Sequence, residues 1–599
     1  MRRRTLLQGA LALPLLSLVS PGLQAAPRST PFRRVRPADP DWPSAASWQK
    51  LKADVGGNLL AVHALLAPCH HDPAGSACRE VLANLRNPFY LGDQPAGTQV
   101  SGWLDAWTPA PSVYAVKGRS SGDVAAAITF ARDRRLRVVV KGGGHSYQGT
   151  SSAADSLLVW TRAMNEVTLH DAFVPAGCAG KIAPQPAVTA GAGAMWIDLY
   201  NAVTTRAGRY VQGGGCTSVG VAGLTQSGGF GSFSKGFGTA ASGLLEAEVV
   251  TGDGRVRTVN ACSDPDLFWA LKGGGGGSFG VVTRLTLRTH ALPEFFGAAW
   301  GRIRAHSDAA FRRLLTRFFE FYATSLLNPH WGEQVHIGSD NVLELSMVQQ
   351  GLDDAQTRRL WQPFFDYVAG VPGDLTITDK LGARATAARH WWDVESNPSM
   401  IQDKRAGAAP NHGWWQGDQD QVGGFIHGYD SLWLPAKLLE APERPRLIEG
   451  LFAGSRHKSI QLHFNKGLAG APQSVLAAAR DTATNSGVTE AFALVIIADG
   501  ERPAYPGLPR PPMDLSAAQL DARAIAAAAA EVRKLAPDAG SYVSESNYFN
   551  ERWQQAFWGS NYPRLRAVKD RYDPDGLFFV HHGVGSENWS PDGFVRRLM

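Results

Sequence analysis

The sequence lacks three features that would assign it to other classes of protein. Its 59 Lys and Arg residues are scattered among 53 acidic residues, so charge patterning gives no support for nucleic-acid binding. After the first residues, no segment reaches about 18 uninterrupted apolar residues, the length of a membrane span. No glycine run is closed by Gly-Lys-Ser or Gly-Lys-Thr, which excludes a Walker-type phosphate loop. The composition that remains, 44% hydrophobic and 19% charged, is that of a soluble globular protein, and 599 residues predict two or more domains.

The first 26 residues have the composition of an export signal. Three arginines at 2–4 precede an apolar run from Leu6 to Val19, and the small residues Ala25 and Ala26 follow, as in a secretory signal with its cleavage site. The stretch RRTLL at 3–7 is similar to a twin-arginine signal, which exports folded proteins. An ordinary Sec signal or a retained anchor is the alternative. We therefore predict a secreted or periplasmic protein without stable membrane association once the signal has been removed.

Cysteine is scarce, and the number of cysteines, five, is odd. In an oxidising compartment an unpaired cysteine needs an explanation. Four of them lie outside the glycine-rich stretches, namely Cys69, Cys78, Cys178 and Cys262. If these four pair, Cys216 is left over, but four cysteines allow three connectivities and the sequence does not choose among them. Cys69 and Cys78 with His70 and His71 could instead form a metal cluster, but their spacing matches no common zinc site, and we predict no metal.

Glycine, in contrast, is abundant and is concentrated beside two reactive side chains. Lys141 to Ser151 reads KGGGHSYQGTS and Gln212 to Leu224 reads QGGGCTSVGVAGL, so His145 and Cys216 each follow three glycines. Such triplets let a backbone pass close to a ligand and expose its N–H groups, which suits a bound pyrophosphate. The Rossmann fingerprint is not met, because the glycines are contiguous and neither loop opens an obvious long helix. The pattern therefore indicates a nucleotide cofactor that a nucleophilic side chain contacts.

Hydrophobic patterning predicts an α+β chain in which the arrangement of strands and helices changes near Leu292. A strand–helix–strand unit over 113–140 leads into the first loop, a helix covers 195–207, and a hairpin pairs 244–251 with 256–260. A helix is also predicted from Trp48 to Leu66. Beyond Leu292, strands alternate with helices over Ala309 to Leu326 and Asp354 to Val368, which predicts a second α+β domain with an antiparallel sheet covered by helices.

Several segments resemble the FAD-binding domain of the vanillyl-alcohol oxidase and p-cresol methylhydroxylase (PCMH-type) flavoproteins, and within it the berberine bridge enzyme-like branch. They are the strand from Val138 into GGGHSYQGTS, the strand from Ala187 into AGAGAMW, GGGCTSVGVAG, and DLFWALKGGGGGSFGVV at Asp266 to Val282. NYPRLRAVKDRYDPDGLFF at Asn561 to Phe579 resembles that branch's C-terminal element. The resemblance implies a lead-in over 27–106, a two-subdomain FAD-binding domain over 107–292, a substrate domain over 293–540 and a returning element over 541–599.

The resemblance also implies how FAD is held. In such proteins the histidine of the first loop bonds to the flavin 8α-methyl carbon and the cysteine of the second to C6, and His145 and Cys216 occupy those positions. The other expected cofactor contacts are Lys141, Gly142, Gly143, Gly144, Ser146, Gly213, Gly215, Val219, Gly220 and Val282. Gly228, Gly229 and Gly231 approach the cofactor or serve close packing. A tethered flavin is a stronger oxidant and stays in an open site. The alternative is a buried structural histidine and a free cysteine.

Val219 bears on the electron acceptor. At the corresponding position in the branch, valine is typical of oxidases and leucine is associated with dehydrogenases. An extra methylene can close a pocket of the size of dioxygen. We therefore expect dioxygen to be a partner, although valine is also a routine core residue.

The catalytic residues are less clearly indicated. The resemblance implies hydride transfer from a substrate carbon to flavin N5, assisted by a base. The Tyr-x-Asn-Tyr stretch of many relatives is altered here, because Ser544 and Glu545 follow Tyr542 at the usual Asn and Tyr positions. The candidates are Tyr548, Glu545 and Tyr542, together with Gln461 and His463, which a strand over 460–465 would present on one face with Asn465. A packed aromatic and a satisfied structural histidine are the alternatives for Tyr548 and His463.

Two further groups are weaker candidates. His581 and His582 lie near the return of the chain to the flavin domain. The tryptophan pairs at 391–392 and 414–415 could stack on sugars, although tryptophan is more often a core residue.

Three functions follow. The first is an FAD-dependent oxidase that converts an alcohol, a sugar hemiacetal or a similar C–H donor, supplied as a small molecule or oligosaccharide, to a carbonyl with release of hydrogen peroxide. The second is a dehydrogenase that uses another acceptor. The third is a flavin-carrying binding protein with little turnover, which the altered tyrosine stretch favours.

Overall fold

The structure, a computed structural model, describes residues 32–597, and the predicted export signal lies outside this range. The lead-in holds short helices and one strand. These are α1 (Ala45–Asp54), β1 (Leu59–Ala61), α2 (Ala67–His71), α3 (Ser76–Asn84) and α4 (Pro88–Gly92). The helix predicted from Trp48 to Leu66 is wrong beyond Asp54, because Gly56 and Gly57 adopt the left-handed φ values +59° and +86° and turn the chain into β1.

Residues 114–291 form two sheets with short helices. In order they are β2 (Tyr114–Lys117), α5 (Ser121–Asp133), β3 (Arg137–Lys141), β4 (Ser156–Trp160), β5 (Val167–Phe173), β6 (Gln185–Gly191), α6 (Trp196–Tyr200), β7 (Arg209–Val211), α7 (Val221–Gln226), α8 (Ser234–Phe237), β8 (Leu244–Val250), β9 (Val256–Asn260), α9 (Pro265–Leu271) and β10 (Val281–Ala291). A π-helix, Asn201–Arg206, continues α6, so the helix predicted over 195–207 consists of an α-helical part followed by a π-helical part.

The first sheet has the order β1-β2-β4-β3, with β2, β4 and β3 parallel and β1 antiparallel to β2. The second has the order β5-β6-β10-β8-β9, with β7 also on β10, and all of its pairs are antiparallel. The predicted hairpin is the β8–β9 pair. Helix α5 begins at the Ser120 cap and buries Val124, Ala127, Ile128 and Ala131, the spacing of one helix face. Its packing fixes β3, which leads directly into the histidine loop.

A larger sheet begins after Leu292. Its region contains β11 (Phe295–Ala305), α10 (Asp308–Phe321), β12 (Trp331–Ile337), β13 (Val342–Gln350), α11 (Asp354–Ala369), β14 (Leu375–Ala387), β15 (Met400–Gln402), β16 (Gly413–Trp415), β17 (Phe425–Pro435), α12 (Arg444–Ser455), β18 (Ile460–His463), α13 (Gln473–Arg480), β19 (Ala491–Glu501) and α14 (Leu515–Arg533). A seven-stranded sheet has the order β14-β11-β13-β12-β18-β19-β17, and every pair is antiparallel, as predicted.

The two faces of the seven-stranded sheet have different roles. Val335, Leu345 and Leu462 point into a core shared with α10, α11, α12 and α14, whereas their neighbours Gln334 and Gln461 point to the other face.

One detail of the prediction is wrong. The strand predicted over 460–465 ends at His463, and a 3-10 turn at Phe464–Lys466 follows, so Asn465 does not continue the strand alternation.

The C-terminal element returns to the first two sheets. It contains α15 (Trp553–Trp558) and α16 (Tyr562–Tyr572), and α16 packs beside α9. Lys569 of α16 donates to the carbonyl of Ser278 at 2.6 Å, which ties this element to the end of the five-glycine run.

The cysteines pair as Cys69–Cys78 and Cys178–Cys262, and Cys216 carries a free thiol. The alternative of a metal cluster at residues 69–78 is wrong, because both of its cysteines are bonded to each other. None of the helices within residues 32–597 is both long enough and apolar enough to cross a bilayer.

Candidate functional site

Both glycine loops line one narrow cavity between the small sheets and the C-terminal element. The residues predicted to contact the cofactor that line it are Lys141, Gly142, Gly143, Gly144, His145, Ser146, Cys216, Val219, Gly220 and Val282. Gly215 lines a second, wider cavity that adjoins it. Gly213 and Gly231 serve close packing, because a Cβ on Gly213 would lie 2.2 Å from Trp196 and one on Gly231 would lie 1.9 Å from the Gly213 oxygen.

The two loops touch each other through their glycines. A Cβ on Gly143 would lie 3.0 Å from the Gly220 nitrogen and 3.1 Å from the Ser218 oxygen, so only glycine permits this approach. Gly144 adopts φ +80°. Within residues 32–597, the N–H groups of Gly143, Gly144 and His145 have no hydrogen-bond acceptor. Free backbone donors beside a cavity form a cradle for an anion, which fits the pyrophosphate of a dinucleotide.

His145 is poised as a neutral nucleophile. Its Nε2 is 3.0 Å from Ser218 Oγ, which leaves Nδ1 as the ring nitrogen available to a ligand. The ring is accessible from the cavity but lies deep in the protein, and this burial lowers the pKa of His145 to about 3. The imidazole is therefore uncharged at neutral pH.

Cys216 lines both cavities and stands at their junction. Burial, together with the nearby Asp418 carboxylate, raises the pKa of the Cys216 thiol well above its ordinary value. The thiol is therefore protonated at neutral pH. Burial in turn raises the pKa of Asp418 to about 6.

Lys141 does not direct its ammonium into the cavity. Its Nζ donates to the carbonyls of Gln94 and Gly97, the latter at 2.6 Å, and burial lowers the pKa of this lysine to about 7. The side chain therefore fixes the lead-in against the first loop, and only the rest of the residue lines the cavity.

The wider cavity, about 1580 Å³, opens on the polar face of the seven-stranded sheet. It shares Tyr147, Cys216, Val219, Phe230 and Glu545 with the narrow cavity, so the two meet at the cysteine loop. The volume exceeds that of ordinary small-molecule pockets, which are about 300–1,000 Å³. The arrangement joins the narrow cavity of the glycine loops to a much larger cavity beside the sheet.

The predicted catalytic candidates occupy different places. Gln461 and His463 line the wide cavity, where His463 Nε2 is 3.1 Å from Gln461 Oε1. Glu545 lines both cavities and pairs with Lys466 at 2.5 Å. Tyr542 lines the narrow cavity, and its ring meets Phe230 edge to face at 5.0 Å.

Tyr548 lines neither cavity and stacks on His581 with a centroid distance of 3.7 Å. This is the packed aromatic that the sequence left as its alternative. His581 and His582 both line the narrow cavity on the side of the glycine run at 275–277.

Sequence reasoning missed several polar groups of the wide cavity, of which Glu333, Asp418 and Tyr429 lie near the junction. Ser232 Oγ donates to Glu333 Oε1, and Asn465 Nδ2 donates to the same oxygen at 3.3 Å. The only sequence signal for Glu333 is a charged residue between Trp331 and Val335, two apolar residues.

Aromatic rings form part of the wall. Trp391, Trp392 and Trp415 line the wide cavity, whereas Trp414 does not. Trp415 Nε1 donates to the Gly215 oxygen at 3.1 Å, so this ring is fixed against the cysteine loop. Trp392 stacks on Tyr200 at 4.0 Å. Stacking surfaces of this kind suit sugars and other flat or amphipathic ligands.

Comparisons with known proteins agree with this site. Residues 113–260 match the family described as FAD binding domain, and residues 536–585 match the family described as berberine and berberine like. The chain is 29% identical to the FAD-linked oxidoreductase patO of Penicillium expansum over 93% of this chain and 92% of that protein.

Two solved structures share the fold. The VAO-type flavoprotein MtVAO615 from Myceliophthora thermophila superposes with a TM-score of 0.75 at 24% identity, covering 94% of this chain and 100% of that one. The glucooligosaccharide oxidase from Acremonium strictum gives a TM-score of 0.59 at 20% identity, covering 82% and 94%.

Two families therefore match the two parts of the chain that meet at the narrow cavity, and the relatives extend over almost its whole length. The chain is an FAD-dependent oxidoreductase, and these matches support the berberine bridge enzyme-like branch of the vanillyl-alcohol oxidase/PCMH-type flavoproteins as its family.

Proposed function

We propose that this protein is an oxidase that holds FAD by two covalent bonds, from His145 to the 8α-methyl carbon and from Cys216 to C6. The observation that carries the proposal is the pair of contacting loops, which present an uncharged imidazole and a free thiol to one cavity. When bound, the flavin accepts a hydride from the substrate. The structure of the glucooligosaccharide oxidase is described as containing a 6-S-cysteinyl, 8α-N1-histidyl FAD, and Nδ1 is the nitrogen that His145 has available.

The proposed substrate is an alcohol, a sugar hemiacetal or a similar C–H donor, as a small molecule or an oligosaccharide. The wide cavity supports this class through its size and its combination of aromatic rings with polar groups. Solved relatives include a glucooligosaccharide oxidase, a chitooligosaccharide oxidase and a carbohydrate oxidase.

The proposed place of action is outside the cytoplasm. Two disulfides join cysteines that line neither cavity, and disulfides persist in oxidising compartments. The arginine pair and apolar run at the N-terminus would provide the export signal, and the twin-arginine route would carry the folded protein with its flavin attached.

Mass spectrometry tests the double attachment. Protein precipitated with acid should remain yellow, and proteolysis should release flavin on the peptide that contains His145 and on the peptide that contains Cys216. Free FAD in the supernatant with two unmodified peptides would contradict the proposal. Flavin on one peptide only would show that a single covalent bond holds the FAD.

The acceptor is tested by Val219→Leu. Val219 lines both cavities and is partly buried against the core, so a longer side chain intrudes at their junction. We expect reoxidation of the reduced flavin by dioxygen to slow about tenfold, equivalent to about 1.4 kcal/mol in the barrier. Reduction by substrate should change little. Stopped-flow mixing of reduced enzyme with aerated buffer measures the first rate. If the wild-type flavin itself stays reduced in air for minutes, the protein is a dehydrogenase.

A further inference from the structure

Glu333 has an unusual backbone for a residue within a sheet. It lies in β12, opposite Met347 of β13, but adopts φ +63°. Its neighbour Gly332 packs against Ser232, because a Cβ on Gly332 would lie 1.9 Å from the Ser232 oxygen. Left-handed conformations of non-glycine residues are unfavourable and are retained where the surroundings enforce them, often at functional sites.

The strained backbone directs the Glu333 carboxylate to the junction of the two cavities. Oε1 accepts from Ser232 Oγ and from Asn465 Nδ2, and it would lie 3.6 Å from a Cβ placed on Gly215. Within residues 32–597, Oε2 has no hydrogen-bond donor, and the residue lines the wide cavity. One oxygen is therefore held in place while the other is free to meet a ligand next to the cysteine loop.

Two more acceptors beside Glu333 lack donors. Asn465 Oδ1 and Gln334 Oε1 are buried and have no hydrogen-bond partner within residues 32–597, and both residues line the wide cavity. A buried acceptor without a donor destabilises the protein. Three acceptors in one place therefore favour a ligand that brings several donors, as a polyol or a sugar does.

We propose that Glu333 is a catalytic carboxylate, which accepts the proton of the substrate hydroxyl while Asn465 and Gln334 accept hydrogen bonds from the neighbouring hydroxyls. The inference rests on the proposed function. The O–H bond of the substrate breaks and its proton goes to Glu333 Oε2. The C–H bond would break with both of its electrons leaving as hydride, for which FAD, when bound, would be the acceptor, and the C=O bond would form.

The charges around Glu333 are mixed. Burial raises the pKa of its carboxyl, Glu545 acts in the same direction, and the Ser232 hydrogen bond and Lys466 oppose them. Asp418 lines the same cavity, and burial, with a contribution from Glu333, raises its pKa to about 6. In the flavin-bound protein that we propose, Cys216 carries no titratable thiol. The imidazole of His463, whose pKa is lowered well below its ordinary value by burial, is uncharged at neutral pH. Since only the ionised carboxylate accepts a proton, flavin reduction should rise with pH through the Glu333 pKa.

The test compares Glu333→Gln with Glu344→Gln. Glu344 lies on the adjacent strand, is paired with Arg302 at the surface and lies outside both cavities. The wild-type protein is mixed without oxygen with benzyl alcohol, glucose and cellobiose, and the fastest reductant becomes the probe. In Glu333→Gln we expect flavin reduction to slow about 100-fold or more and to lose its rise with pH. Glu344→Gln should keep both the rate and the profile.

Chemical rescue distinguishes a catalytic role of Glu333 from a structural one. In Glu333→Ala, added formate should restore part of the reduction rate, because a small carboxylate can occupy the space of the side chain. A Glu333→Gln protein that is reduced as fast as the wild type, with the same pH profile, would overturn the assignment. Slow reduction in Glu333→Ala that formate does not change would equally assign Glu333 a structural role.

Thermal unfolding gives a readout independent of turnover. A carboxyl whose folded-state pKa is raised destabilises the protein as pH rises from the unfolded-state pKa to the folded-state pKa. Glu333→Gln should therefore gain Tm relative to the wild type across this window, above the ordinary carboxyl range, whereas Glu344→Gln should not. A constant Tm difference across pH would contradict the buried carboxylate. If no probe reduces the wild-type flavin, the proposed function fails. The comparison of Tm against pH in Glu333→Gln and Glu344→Gln still tests whether Glu333 is a buried carboxyl with a raised pKa.

Discussion

A variant that carries both His145→Ala and Cys216→Ala is expected to contain no covalently bound flavin. These are the two side chains to which we assign the covalent bonds, and both line the narrow cavity, so removing both leaves the cofactor held only by noncovalent contacts. Denaturation in acid should then release all of the FAD. The measurement is flavin absorbance in the precipitate compared with the supernatant.

The single variants are the matched controls for this double replacement. His145→Ala should keep flavin through Cys216 and Cys216→Ala should keep it through His145, and the flavin of His145→Ala should have a lower redox potential. His306→Ala, a change to an exposed histidine that hydrogen-bonds to Thr376 of the edge strand β14 and lines neither cavity, should alter neither attachment nor potential. Covalent flavin in the double variant would disprove the assignment. An unchanged potential in His145→Ala would remove the electronic role of the tether.

The glycine loops were predictable from the sequence because their chemistry is local. A run of glycines followed by a nucleophile specifies a close approach of backbone and an exposed side chain, and the structure places His145 and Cys216 on one cavity. The same is true of α5, whose cap and apolar spacing lie within 14 residues. Patterns of this kind require no knowledge of distant contacts.

Glu333 was not predictable for the opposite reason. Its position depends on the register of β12 with β18, on the turn that carries Asn465 and on the approach of Ser232 from the segment between α7 and α8. These contacts join residues 100 or more positions apart, and sequence spacing does not encode them. Tyr548 shows the converse, since its nearness in sequence to the altered tyrosine stretch suggested a base, whereas its ring stacks on His581 and lines neither cavity.

Lys141 shows how a correct position can have an unexpected role. The residue does line the cofactor cavity, but its ammonium holds the carbonyls of Gln94 and Gly97 in the lead-in. The histidine loop is thereby supported by chain that precedes the flavin-binding sheets. Tertiary hydrogen bonds of this type determine where a lysine points, and the sequence motif does not.

A buried ion pair supports the other side of the cofactor cavity. Lys569 Nζ lies 2.6 Å from Asp573 Oδ2 and also donates to the carbonyls of Ser278 and Phe578 at 2.6 and 2.7 Å. Asp573 in turn accepts from the backbone N–H groups of Leu577 and Phe578. Burial lowers the pKa of the lysine despite its acidic partner. The pair therefore holds the C-terminal element to the end of the glycine run that lines the cavity.

Lys569→Met should lower the free energy of unfolding by about 3–5 kcal/mol, because it leaves the Asp573 carboxylate buried without its cation. Adding Asp573→Asn should recover part of this loss, since the amide oxygen still accepts from the backbone and carries no charge. The control is Lys50→Met in the Lys50–Asp54 pair, which has the same four-residue spacing on α1 but is exposed and should contribute at most about 1 kcal/mol. Urea unfolding measures all three variants. Equal losses of unfolding free energy in Lys569→Met and Lys50→Met, or a double variant less stable than Lys569→Met, would contradict this explanation. Either result would show that the unpaired buried Asp573 carboxylate is not the cause of the loss.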